Sequence, residues 1–306
     1  MRPLAALMTG VLAFGLAMAA PSGAVAQSHP APAQAPVPSV PPVPPAPWVR
    51  QPATEVQLRN LAAVVRVVPE PRDDVALSIA NPGPLPAPQF RLSRRTLVID
   101  GGLGRRAQCG DRGGFSVNAR GQWVREASLP VIELRVPRDA VISSDGAVRM
   151  HIGPSQNARL ALAGCGLTEV ERVVADANVA LASGAMTLHL FDAGTASVQV
   201  AGAGDVMLGA VRNGLTLSLA GSGDVSVARA DGEINIAVQG SGDVLIRDGR
   251  ASNLSVAIAG SGDVVHQGEA NHLDAAIIGS GDVHVRRVTG GVSQHVFGSG
   301  EVIIGH

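Results

Sequence analysis

The 306-residue sequence has no lysine and no tyrosine, so all 24 of its basic residues are arginine. Without an amine side chain there is no Schiff-base nucleophile and no Walker-type phosphate loop. Aromatics are 2% of the chain, five Phe and two Trp, and the formal net charge is −1. A nucleic-acid binder would need stacking rings or a basic excess, so that class is excluded. A disordered charged tail is excluded too, because 46% of the residues are hydrophobic and the charges nearly cancel. Beyond the first 26 residues no run of 18 continuous apolar residues occurs, so no membrane span is expected in the mature chain.

What is present begins with an export signal. Arg2 supplies a positive start, Leu4 to Ala19 an apolar core, and Ala24-Val25-Ala26 a small-x-small site, so cleavage is expected between Ala26 and Gln27. Retention of residues 1–26 as an anchor is the alternative. No cysteine stands near residue 27 to carry a lipid. Residues 27–53 read as a Pro/Ala tether, because closely spaced prolines fix φ and remove amide donors, favouring an extended polyproline chain. Export into an oxidising compartment makes Cys109 and Cys165 an expected disulfide. On the chain-entropy account such a long closed loop contributes roughly 4 kcal/mol.

The dominant signal is a five-residue unit. Gly202-Ala-Gly204-Asp205-Val recurs as Gly221-Ser-Gly223-Asp224-Val, Gly240-Ser-Gly242-Asp243-Val and Gly260-Ser-Gly262-Asp263-Val. It continues as Gly279-Ser-Gly281-Asp282-Val and Gly298-Ser-Gly300-Glu301-Val. The intervals are 19, 19, 20, 19 and 19 residues, the signature of a solenoid. Within each interval aliphatic residues alternate with small polar ones, as at Leu215, Leu217 and Leu219, so each interval holds a strand with one buried face. A second corner is marked by Asn213-Gly214, Asp231-Gly232, Asp248-Gly249 and Gly290-Gly291. The expected fold is all-β: a parallel β-helix over residues 54–306, with about 13 coils stacked over roughly 60 Å. The Gly/Arg-rich stretch 101–122 is expected to protrude as a loop.

The Gly-Ser-Gly-Asp-Val ladder over 202–302, the export signal, and Leu134-Arg-Val-Pro137 ahead of Ala163-Gly-Cys-Gly166 resemble the auto-transporter adhesin "head GIN domain" family of secreted bacterial proteins. The resemblance implies a right-handed β-helix outside the cytoplasm and an adhesive or cell-surface role. It brings no catalytic residues with it. No alternating segment with aromatic girdles follows residue 302, so self-secretion through a barrel is not expected.

Four features are candidates for chemistry. The acid column Asp205, Asp224, Asp243, Asp263, Asp282 and Glu301 stacks like charges about 4.8 Å apart, a repulsion of roughly 0.9 kcal/mol per neighbour in bulk water. Hydrogen bonds from turn amides are the expected offset, with calcium bridging as the alternative. His266, His272, His284 and His295 fall in different columns, His266 inward and His284 outward, so no metal site is expected from them. A polysaccharide-cleaving site would interrupt the periodicity with an acid pair, and none breaks 202–302. The outward face is low in relief, with Ser218, Ala220, Ala237, Ala257, Ala259 and Ala276, beside a partly apolar column of Met207, Leu245, Val265 and Ile303. The final coil, Val302-Ile303-Ile304, reads as an open edge at which self-association is expected.

The reading is therefore an exported, non-enzymatic binding or adhesin-like module of the periplasm or cell surface, without cofactor, acting on an envelope or surface partner. A self-associating envelope scaffold is the first alternative and a polysaccharide-active enzyme the second.

Overall fold

A computed structural model describes residues 47–305, apart from 82, 105–106, 112–114, 183 and 185. The signal, its Ala26–Gln27 junction and tether residues 27–46 lie outside the described residues. Strand pairing begins inside the stretch read as tether, with β1 (Val49–Gln51). Then come β2 (Glu55–Glu70), β3 (Val75–Ala80), β4 (Gln89–Ser93) and β5 (Thr96–Asp100). A separate antiparallel sheet holds β6 (Gln108–Asp111), β7 (Phe115–Ala119) and β8 (Gln122–Arg125). The rest is β9 (Val131–Pro137), β10 (Asp139–Ile152), β11 (Asn157–Val170), β12 (Val173–Ala182), β13 (Met186–Gly202) and β14 (Val206–Gly221). Next are β15 (Val225–Ala230), β16 (Gly232–Gly240), β17 (Val244–Ile246), β18 (Arg250–Gly260) and β19 (Val264–Ala270). The chain closes with β20 (Leu273–Gly279), β21 (Val283–Val288), β22 (Val292–Gly298) and β23 (Val302–Ile304).

From β10 onward every coil pairs in parallel with the next, giving a β-solenoid of about nine turns with coils of about 19 residues. Register turns the sequence alternation into columns. Ile142, Leu160, Val179, Val198, Leu217, Ile236 and Val256 stack one above another and are buried. Each such side chain taken from water contributes about 1.5–3 kcal/mol, and parallel columns such as Leu219, Val238 and Ile258 fill the coil beside it. The interval of 20 residues keeps register because its extra residue is absorbed at the second corner, where pairing jumps from Gly232↔Ala251 to Glu233↔Asn253.

The expected 13 coils are too many. Residues between β2 and β10 form few rungs of the stack: β5 and β9 pair in parallel with β2, but β3 runs antiparallel to β9, β4 antiparallel to β5, and β1 antiparallel to β3. Alternation in a strand is the same whichever way its neighbour runs, which is why these strands read as coils. The stretch 101–122 is likewise not a plain loop. Part of it belongs to the β6–β7–β8 sheet, which rests on its own small core of Leu103, Val117, Val124 and Leu129. Cys109 on β6 and Cys165 on β11 form a disulfide, with Cα atoms 5.9 Å apart, and fasten that sheet to the solenoid. The inward positions of the last coil differ from expectation as well: Val292 and Val296 are exposed, because among the described residues no further coil covers them.

Candidate functional site

The repeated corner explains its own sequence. At Gly221, φ is +143°, and a Cβ would overlap the carbonyl of Gly202 in the coil before. At the second glycine the obstacle is the same: a Cβ on Gly242 would overlap the carbonyl of Gly223. That close approach lets the next amides bond upward and downward. Ser241 N donates to Gly221 O at 3.0 Å, and Val225 N donates to Asp243 O at 2.8 Å.

The aspartate completes the ladder. Asp224 N donates to Asp205 Oδ1 at 3.2 Å, Asp243 N to Asp224 Oδ1 at 3.1 Å, and Asp263 N to Asp243 Oδ1 at 2.9 Å. Asp282 N donates to Asp263 Oδ1, and Glu301 N to Asp282 Oδ1, both at 2.8 Å. Each of the five aspartates thus accepts a charge-assisted bond from the amide of the coil above, and Glu301 contributes its amide alone to the ladder. The column is placed as a structural device that ties coil to coil. Among the described residues no three His, Cys, Asp or Glu side chains are grouped to hold a metal ion. Beside the column runs a groove of about 490 Å³, walled by Asp205, Asp224 and Asp243 and by Met207, Leu245 and Val265.

The second corner carries an ion-pair cluster. Arg229 donates to Asp231 Oδ2 at 2.7 Å through Nε and to Asp248 Oδ2 at 2.7 Å through Nη1, while Arg250 N donates to Asp231 Oδ1 at 2.9 Å. Burial pushes the Asp231 carboxyl up, but the bonds from Arg229 and from the Arg250 amide outweigh it and hold Asp231 below the usual range.

The histidines do not converge. His266 points into the core, in the column Val227, Ile246, His266, Val285, and is fully buried. Its Nε2 lies 3.4 Å from Glu269 O, its Nδ1 has no hydrogen-bond partner among the described residues, and burial pushes its pKa down. His284 lies on the outer face in the column of Val265 and Ile303, and His295 in the column of Ala276. One histidine contact escaped the sequence reading: His151 Nε2 meets Glu171 Oε1 at 2.9 Å, across a corner that carries no repeat motif.

The outer face of the long sheet is also ordered by register. Asp145, Ala163, Ala182, Ala201 and Ala220 share one column, which ends in Ile278 and Phe297. Ile278 is 63% exposed and Phe297 71%. At the other end of the face two shallow grooves, of about 390 and 490 Å³, lie over small side chains that include Ser143, Ala161 and Ala180. Aligning the sequence on its 19-residue period finds these two large residues in an alanine column.

Parallel coils, paired-glycine corners and an aspartate-to-amide ladder define a β-solenoid whose repeated polar groups hold the fold together. Residues 210–305 match the family described as "Putative auto-transporter adhesin, head GIN domain". Similar solved structures include one described as a "Putative lipid binding protein" from Parabacteroides distasonis ATCC 8503, at 16% identity over 84% of this chain and 96% of that one, with a TM-score of 0.49. A "putative adhesin" from the same organism is 15% identical over 85% and 97%, with a TM-score of 0.45. Another "putative adhesin", from Bacteroides fragilis NCTC 9343, is 14% identical over 84% and 95%, with a TM-score of 0.40. No curated protein matches the chain.

Proposed function

We propose that the protein is an exported, non-enzymatic, adhesin-like binding module of the bacterial envelope, displayed on its Pro-rich tether. The observation that carries this reading is the aspartate ladder. The most repeated ionisable group of the chain is spent on coil-to-coil hydrogen bonds, so what remains for recognition is the surface of the rod. The family matched by residues 210–305 supports the adhesin-like role. The Cys109–Cys165 bond and the apolar amino-terminal segment support export, since disulfides persist in oxidising compartments.

Cell fractionation with amino-terminal sequencing tests export: the mature chain is expected in the envelope or periplasmic fraction, beginning at Gln27. A full-length cytoplasmic chain would overturn it. Beads bearing the purified chain are expected to retain intact envelope glycan or protein without altering it. Release of shortened polysaccharide would replace the reading with the enzymatic one.

A further inference from the structure

We propose that the alanine-lined outer face docks on the same face of a second copy, with the two solenoids antiparallel about a two-fold axis along the strand of Thr216, Ser218 and Ala220. Two features of the face agree on that axis, and the charge of the two halves agrees with the antiparallel sense.

The first is charge. In the column through Thr216, between Val141 and Ser293, the only charged residues are Arg159 and Asp274. Both are exposed, and neither forms an ion pair among the described residues. Arg159 stands three coils before Thr216 and Asp274 three coils after it. An axis at Thr216 therefore sets Arg159 of one protomer against Asp274 of its partner, and the converse pair forms by symmetry. A two-fold interface requires this reciprocity.

The second is shape. In the column of Ala220, two outward positions along the strand from Thr216, Ile278 lies three coils after Ala220 and Ala163 three coils before it. The same axis seats Ile278 over Ala163 of its partner. It also brings Phe297, one coil further, over Asp145, at the groove lined by Arg59, Ser143 and Ala161. Two exposed apolar side chains thus enter a groove floored by small ones, and the Arg59 guanidinium is available to the ring face.

The charge of the two halves bears on the sense. Residues 50–201 carry a net +3 and residues 202–306 a net −5. Antiparallel packing keeps the two acidic halves apart, where parallel packing would lay one on the other. A parallel pair would put Arg159 on Arg159 and Phe297 on Phe297.

The test uses the full chain in sedimentation equilibrium. The mass is expected to be twice that of one chain. Ile278→Asp and Phe297→Asp are each expected to weaken the dimer about tenfold or more, with far-UV circular dichroism unchanged because both side chains are exposed in the single chain. Arg159→Asp and Asp274→Arg are each expected to weaken it, and the double variant to restore it. Oxidation of a Ser218→Cys chain is expected to link two copies, whereas Ser255→Cys, two coils off the axis, is not. A monomer at all concentrations, a dimer indifferent to the charge reversals, or cross-linking at Ser255 alone would overturn the proposal. So would a monomer whose retention of anionic vesicles or glycan is lost with Phe297→Asp, which would give the face to that ligand. None of these readouts depends on where the chain is exported or what the rod binds.

Discussion

His266 fits inside the solenoid because Gly268 has no side chain: a Cβ there would stand 2.7 Å from His266 Cε1. The imidazole fills a position that is aliphatic in the coils on either side, Ile246 and Val285. Asp248 and Arg286 act on it from the neighbouring coils with opposite sign, and Glu269 offers only its carbonyl.

The sign of the pH effect follows. Burial lowers the folded pKa of His266, so the native state keeps the ring neutral while the unfolded chain protonates near pH 6.5. Stability is expected to be constant above that pH and to fall below it, by at most about 1.4 kcal/mol per pH unit from this group. Urea unfolding between pH 7.5 and 5 should show the decline, and His266→Val should remove most of it.

The aspartate ladder separates hydrogen bonding from charge. Asp243→Ala is expected to cost about 1 kcal/mol, because the Asp263 amide loses its acceptor. Asp243→Asn keeps an acceptor oxygen and removes one charge from a repelling column, so it should be close to neutral. Denaturant midpoints of the two variants compared at low and high salt will show it. The gap between the two variants is expected to persist in salt, because neither carries the charge, while both should lose ground to the unsubstituted chain, in which screening weakens the repulsion of the column.

Gly242→Ala should be far more disruptive than any surface change, with a loss of about 3 kcal/mol or more, since its Cβ would meet the Gly223 carbonyl and backbone cannot yield as a flexible side chain does. Ser241→Ala, one residue away on the exposed side of the corner, is expected to stay within about 0.5 kcal/mol. Thermal melting of the pair is the measurement.

Reducing the Cys109–Cys165 bond should loosen the β6–β7–β8 sheet and leave the distal coils intact. Hydrogen exchange is expected to quicken over residues 108–125 while Val225–Ile304 is unchanged, and stability should fall by about 2–4 kcal/mol.

Legibility followed repetition. Between Gly202 and Val302 the motif recurs often enough that corner, strand face and column could be read directly, including the inward placement of His266. Upstream, Val75–Ile79 alternates as a coil strand does, yet it pairs antiparallel with β9, because alternation reports burial and not the direction of the partner. The β6–β7–β8 sheet stayed hidden because its core, Val117 with Leu103 and Leu129, is assembled from segments too short to show a period. On the outer face the alanines were legible, but the pairing of Arg159 with Asp274 about Thr216 required register, which depends on how corners absorb extra residues.

One such corner sets how this architecture can change in length. The additional residue near Ser252 is taken up away from the glycine turn, so every carboxylate above and below still finds its amide. Gain or loss of a complete turn leaves all contacts satisfied, whereas a single-residue slip at a Gly-Ser-Gly-Asp corner would unseat the ladder in both directions. Rods of this kind can therefore grow or shrink in whole steps, with the reach of the molecule set by copy number alone.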